Sequence, residues 1–139
     1  MKASNADAWY TRGALSKTQD KQLVTEWRDI LDRHARVSCA LTHALEHQHG
    51  LGMSEFEVLE RLAREGDCAV RLQEVAEHVH LSQSALSRVV DRLEKHGLVT
   101  RGVCENDRRA IYAELTKAGR DRYEAARPTH REVLERELS

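Results

Sequence analysis

The period of the sequence changes at Gly97, and no other feature limits the fold as much. Before Gly97 the apolar residues recur at helical spacing. After it, Leu98-Val99-Thr100-Arg101-Gly102-Val103 reads as a strand. Glu105-Asn106-Asp107-Arg108 predicts a turn, and residues 109–115 a returning strand. Thr116 is placed to cap a last helix from Lys117 onward, which Pro128 is expected to kink or interrupt. Val133, Leu134 and Leu138 are its final apolar contacts.

Upstream, residues 22–48 predict one long helix, with Trp27, Ile30, Leu31, Val37, Leu41, Ala44 and Leu45 on one arc. Gly50 and Gly52 are expected to close it. Ser54 with Glu57 has the spacing of a capping box, starting a helix that carries Phe56, Val58, Leu59 and Leu62 and ends near Gly66. A short helix fits residues 72–78. After the turn His80-Leu81-Ser82, Ser82 caps a further helix over residues 83–96. Residues 1–19 hold Trp9 and Tyr10 but no sustained period, and are expected to be a flexible arm. The fold class is therefore mostly α with a small β-hairpin.

A chain of 139 residues fits one domain with a core of its own, and 40% hydrophobic against 32% charged residues is a globular balance. The net charge of −1 argues against binding polyanions through a bulk field, so any such binding must come from a local arrangement of charges. Cys39, Cys68 and Cys104 are widely spaced and form no CxxC, so neither a disulfide framework nor a ribbon zinc site is signalled. Apolar runs are too short to span a bilayer, and the first seven residues lack the apolar centre of a signal peptide. A cytosolic protein is expected. There is no nucleophile elbow, phosphate-cradling glycine loop or HExxH, so neither an enzyme nor a cofactor is expected.

Two short helices joined by a tight turn and followed by a hairpin describe a winged helix-turn-helix. Along residues 83–96, Leu86, Val89, Val90 and Leu93 form a narrow apolar seam, while Ser84, Ser87, Arg88, Asp91 and Lys95 fall on the other side. Such a helix can enter a major groove. Its early residues Gln83, Ser84, Ser87 and Arg88 are the candidate base readers, and Arg92 and Lys95 are expected to face phosphate. The hairpin tip carries Asp107, Arg108 and Arg109, and an arginine there can enter a minor groove. Residues 83–109 hold six basic and four acidic side chains, a net of +2 against −3 for the rest.

The run from Leu81 through Arg88 and Gly97 to Val99 resembles the recognition helix of the MarR (multiple antibiotic resistance regulator) family. Asp107-Arg108-Arg109-Ala110, with Leu115-Thr116-Lys117-Ala118-Gly119, resembles that family's wing and the start of its next helix. The similarity covers roughly residues 22–138. It implies a homodimeric regulator, repressing by default, that binds an inverted-repeat operator in double-stranded DNA. It also implies that Ser84, Ser87 and Arg88 contact bases, and that Asp107 and Arg109 stand for the wing's Asp-x-Arg. On this resemblance the chain divides into an arm (1–19), a helix for dimerisation and core (20–53), a DNA-binding lobe (54–116) and a second dimerisation helix (117–139). Family members continue beyond the position of Ser139 with a helix that helps build the dimer, so dimer stability is the property to watch.

The family binds effectors between its first two helices and the DNA-binding lobe. Trp27, His34, Arg36, Phe56 and Arg61 fall in those regions, where an arginine beside apolar walls suits a phenolic or aromatic carboxylate ligand. His34, inside the apolar arc, is otherwise a packing residue. Cys39, His43 and His47 recur at i, i+4 and i+8, and Cys104 lies near Arg101 and Arg108. A metal- or thiol-responsive regulator of the same fold is thus one alternative, although no complete metal site is signalled. A winged-helix module that binds protein instead of DNA is the other.

Overall fold

The computed structural model describes residues 13–66, 68–104 and 107–139. Most of the expected arm, residues 1–12, lies outside the described residues. The elements run α1 (Lys17–His49), α2 (Met53–Arg64), β1 (Val70–Arg71), α3 (Leu72–Val79), α4 (Gln83–Lys95), β2 (Val99–Cys104), β3 (Asp107–Leu115) and α5 (Lys117–Leu138). The chain divides after Arg36 into two compact units.

The first unit contains the opening turns of α1, which begins five residues earlier than its apolar pattern predicts. Ser16 Oγ accepts from the Gln19 amide at 3.2 Å, and the Gln19 side chain accepts from the Ser16 amide at 3.1 Å. That reciprocal pair is a capping box, and it stabilises the helix start without any apolar residue. Leu23, Val24, Trp27, Ile30 and Leu31 are all exposed on this stretch.

The second unit opens with the last turns of α1, where Leu41 and Leu45 are buried. Gly50 ends the helix at φ +63°, and the Leu51 amide reaches back to the Leu45 carbonyl at 3.3 Å. The second glycine has a different role from the one expected. Gly52, extended at ψ 157°, is the N-cap of α2, so Ser54 lies inside the first turn and is not the cap. Leu51 between the two glycines is buried, which pins the junction and sets where the helix can start.

Phe56, Val58, Leu59 and Leu62 of α2 meet Leu72, Val75, Ala76 and Val79 of α3, the seam of α4, and Ala126 of α5 in one core. Each full burial of a Leu or Val contributes about 1.5–3 kcal/mol relative to exposure. His80 turns the chain between α3 and α4 in the left-handed region at φ 56°, with the Leu81 amide bonded to Ala76 at 3.1 Å.

The hairpin lies one residue later at its start and two residues earlier at its return than the pattern predicts. β1, which the sequence does not reveal, joins it to give the antiparallel order β1-β3-β2. Val70 pairs with Ala113 and Arg71 with Tyr112, while β2 pairs with β3 from Val99–Leu115 to Val103–Ile111.

Thr116 caps α5 as expected. Its hydroxyl accepts from the Gly119 amide at 3.0 Å and donates to the Gly97 carbonyl at 2.7 Å, tying the two ends of the hairpin to α5. Gly119 is needed there because a Cβ would collide with the Leu98 carbonyl. Pro128 does not interrupt α5, which continues to Leu138. Buried Ala126, Thr129, His130 and Val133 on both sides of it hold the helix against the loss of one backbone bond. Leu134 is half-buried, whereas Leu138 is about half exposed, so the described residues do not bury it as the sequence pattern predicts.

Candidate nucleic-acid interface

Helix α4 is amphipathic in the sense its sequence predicts. Leu86, Val89, Val90 and Leu93 are buried, and Ser82 Oγ caps the helix by accepting from the Ala85 amide at 3.1 Å. With the seam fixed inward, the geometry of a helix projects the intervening residues outward. Gln83, Ser84, Arg88, Arg92 and Lys95 are exposed and Ser87 is half-buried. All six of these side chains donate hydrogen bonds near neutral pH, and Gln83, Ser84 and Ser87 can also accept. That is the inventory for reading base edges and holding phosphate. Arg92 has a second engagement, with its Nε 3.7 Å from Glu55 at the start of α2. At this separation and exposure the pair is weak, and the guanidinium stays available to a stronger anion.

The wing is fixed to α4 by Arg101, which the sequence places in the basic tally and near Cys104 but not among the residues that hold the wing. Arg101, on β2, bonds Asp91 through its guanidinium and lies 3.5 Å from Glu94, whose carboxylate also accepts from the Arg101 amide at 3.2 Å. Burial works to lower the basicity of this guanidinium, but the bonds from Asp91 and Glu94 outweigh it and raise the pKa above the ordinary arginine value. Asp91 and Glu94 remain nearly half exposed, but Arg101 offsets part of their charge within the motif. Two carboxylates at i and i+3 near a strand arginine were the available signal.

Asp107 and Arg109 lie on β3, at the hairpin end expected of them. Arg109 is exposed. Asp107 and Arg108 belong to the same strand, and their side chains, like that of Cys104, lie outside what is described. Between the start of α3, the first turns of α4 and β3 runs a cleft of about 560 Å³ that brings Gln83, Ser87 and Arg109 together. The same cleft includes Arg71 and Gln73, which the sequence reading did not single out.

The five residues expected near an effector are differently placed. Trp27, His34 and Arg36 belong to the first unit and are exposed there, so His34 does not pack inside the chain as its place in the arc suggests. Phe56 is fully buried in the second unit, stacked on His130 with ring centroids 4.4 Å apart and tilted against Tyr123 at 5.6 Å. It is a core residue, since neighbouring rings already occupy its surroundings. Arg61 forms an ion pair with Glu65 at 2.8 Å and a longer one with Glu74 at 3.9 Å.

His43 and His47 stack in parallel at 5.8 Å, and Cys39 is exposed. Among the described residues no group of three or more His, Cys, Asp or Glu side chains is placed to hold a metal ion.

The α2–α5 seam holds a network whose α2 and α5 members lie more than sixty residues apart and are brought together only by the fold. Glu60 accepts from Tyr123 at 3.0 Å and from Arg131 at 2.6 Å. Burial favours the neutral acid, but the bonds from Arg131 and Tyr123 prevail and leave the Glu60 carboxyl below its usual range. Arg131 also bonds His130 Nδ1 at 2.6 Å, which requires that nitrogen to be the unprotonated one.

Comparison with known proteins agrees with this architecture. A family model described as "MarR family" matches residues 51–111, from the α1–α2 junction to the wing. The HTH-type transcriptional regulator MhqR of Bacillus subtilis is 38% identical over 73 residues, covering 52% of this chain and 49% of that protein. The chain thus spans about half the length of that relative. AbsC, a MarR family transcriptional regulator from Streptomyces coelicolor, superposes with a TM-score of 0.77 at 29% identity, over 90% of this chain and 81% of its own. Sco3205, a MarR family regulator from the same organism solved in complex with DNA, gives a TM-score of 0.78 at 28% identity, over 90% and 79%. These relatives are transcriptional regulators rather than enzymes. Among the described residues no helix is long and apolar enough to cross a membrane. Matched to the family model from the α1–α2 junction into the wing, and superposable on two of its regulators over most of its length, the chain is similar to MarR family regulators in its helix-turn-helix and its fold.

Proposed function

We propose that this protein is a cytoplasmic, DNA-binding transcriptional regulator that acts as a homodimer on an inverted-repeat operator. Residues 54–116 form the DNA-binding lobe, and residues 20–53 and 117–139 contribute the dimerisation helices. Each subunit places α4 in a major groove and its wing tip in the flanking minor groove, with half-sites about one helical turn apart. A two-fold dimer presents both recognition helices to one side of a duplex, which matches the symmetry of such an operator. Repression follows where the bound dimer excludes polymerase.

The observation that carries this reading is the exposed face of α4. Gln83, Ser84, Ser87 and Arg88 project from a helix whose opposite seam is locked into the core, and Arg109 lines the adjoining cleft. A small phenolic or aromatic carboxylate ligand that releases the duplex completes the proposal. Of the residues expected near such a ligand, Phe56 is committed to packing and Arg61 is paired with Glu65.

Gel-shift titrations at two salt concentrations test the DNA reading. Arg109→Ala is expected to weaken binding to every duplex and to reduce the salt dependence by about one phosphate contact. Ser87→Ala or Arg88→Ala is expected to alter sequence preference, at a cost of about 1–3 kcal/mol for a lost base contact. Binding unchanged by all three substitutions would leave the protein-interaction module as the better reading.

A further inference from the structure

We infer that the cleft between α3, α4 and the wing seats the phosphate backbone of a bound duplex, and that Arg71 and Gln73 are DNA contacts outside both the recognition helix and the wing tip. The inference rests on the DNA reading above and adds to it a third element of the grip.

The cleft's chemistry suits an anion. Its polar lining residues are Arg71, Arg101, Arg109, Gln73, Gln83 and Ser87, the others are apolar, and among the described residues lining it none is acidic. Arg101 is engaged by Asp91 and Glu94, and Arg71 and Arg109 bring two further arginines to the same lining. Both are exposed. They stand on neighbouring strands: Arg71 pairs with Tyr112, and Arg109 lies three residues along β3 from that partner, roughly 10 Å at strand rise. Arg71 is also the N-cap of α3, so the positive end of that helix opens at the same place.

Position supports the same conclusion. The major and minor grooves of a duplex are separated by a sugar–phosphate strand. A subunit with α4 in one groove and its wing tip in the next must straddle that strand. The strand then crosses the space between α4 and the wing, and this cleft is that space. Gln83 and Ser87 would line its major-groove wall and Arg109 its minor-groove wall, with Arg71 and Gln73 facing the backbone between them. Phosphate contacts of this kind set register and carry no sequence information.

The test uses the full chain and a mixed-sequence 30-base-pair duplex (a length chosen as roughly three helical turns), with binding followed by fluorescence anisotropy over a series of KCl concentrations. Arg71→Gln should weaken binding about 5–10-fold for every sequence tried and lower the salt slope by about 1, while sequence preference stays as in the parent. Arg71→Lys, which keeps the charge, should restore the slope. Gln73→Ala should weaken binding without changing the slope, because it removes no charge. Thermal melting of each variant separates these effects from loss of fold, and the charge-keeping variant still decides if Arg71→Gln melts early. A parental slope in Arg71→Gln, with Arg109→Ala still defective, overturns this inference and leaves the DNA reading standing. A parent chain that binds no duplex at all overturns both.

Discussion

The first half of α1 and the whole of α4 have the same kind of sequence, an apolar stripe at helical spacing, and opposite fates in the structure. Leu86, Val89, Val90 and Leu93 of α4 are between 0% and 4% exposed. Leu23, Val24, Trp27 and Ile30 of α1 are all more than half exposed, and Leu31 is exposed by 36%. Periodicity specifies which face of a helix is apolar, but the cover for that face comes from elsewhere. For α4 the cover comes from α2, α3 and β2 within the chain. For α1 it is not made by the described chain. An apolar run of that extent on one face is the kind of surface that marks an interface, and the homodimer proposed above assigns it one.

That contrast can be broken most directly at Leu93. Leu93→Ala removes a side chain with no exposure and should lower the free energy of unfolding by about 2–5 kcal/mol, read by urea denaturation. A loss below about 1 kcal/mol would mean that the seam of α4 is not part of the core.

On the other stripe, Trp27→Glu should leave helix content by circular dichroism as in the parent and move the sedimentation profile from dimer towards monomer. An unchanged profile would mean that the α1 stripe is not the surface through which copies associate.

The smallest effect is expected in the α2–α5 seam, as a dependence on pH. Burial against Phe56, together with the neighbouring Arg131, holds the His130 imidazole below its ordinary value of 6.5, while Glu60 pulls weakly the other way. The folded state therefore favours the neutral ring, and the unfolded chain takes up the proton first. Stability is fully present above about pH 6.5 and declines as the pH falls from there through the lower folded value. Glu60, also held low, contributes a further loss only below its ordinary 4.5. Urea midpoints at intervals between pH 7.5 and 5.5 should show that decline, and His130→Gln should flatten it. A midpoint independent of pH in the parent over that range would contradict this account of His130.

Much of the fold was legible because local chemistry and tertiary packing agree. Ser82 and Thr116 cap the helices their positions suggest, and the change of period at Gly97 marks the turn from helix to wing. Where the two disagree, packing decided. The Ser54–Glu57 spacing is a sound capping box, but the buried Leu51 and the extended Gly52 start α2 at Met53. Ser16 and Gln19 also have capping-box spacing, but no sustained apolar period accompanies them in residues 1–19. β1 has only two residues, too few to show a period, and exists through its pairing with β3.

The candidate site was legible in part for the same reason. The outward residues of α4 follow from its inward seam. The partners of Arg101 do not, because charge counting cannot distinguish a guanidinium bound to Asp91 and Glu94 from one that faces solvent. Arg71 and Gln73 enter the cleft only once β1 is in place beside β3. Phe56 was separated from the effector candidates by His130 and Tyr123, which are more than sixty residues away in the chain.

The central claim is that paired α4 helices and wings read one side of a duplex, and selection of bound duplexes from a random pool by the purified full chain tests it most directly. The account predicts enrichment of an inverted repeat whose half-sites lie about 10 base pairs apart, centre to centre. Enrichment of a single unrepeated site, or of no sequence at all, would contradict it.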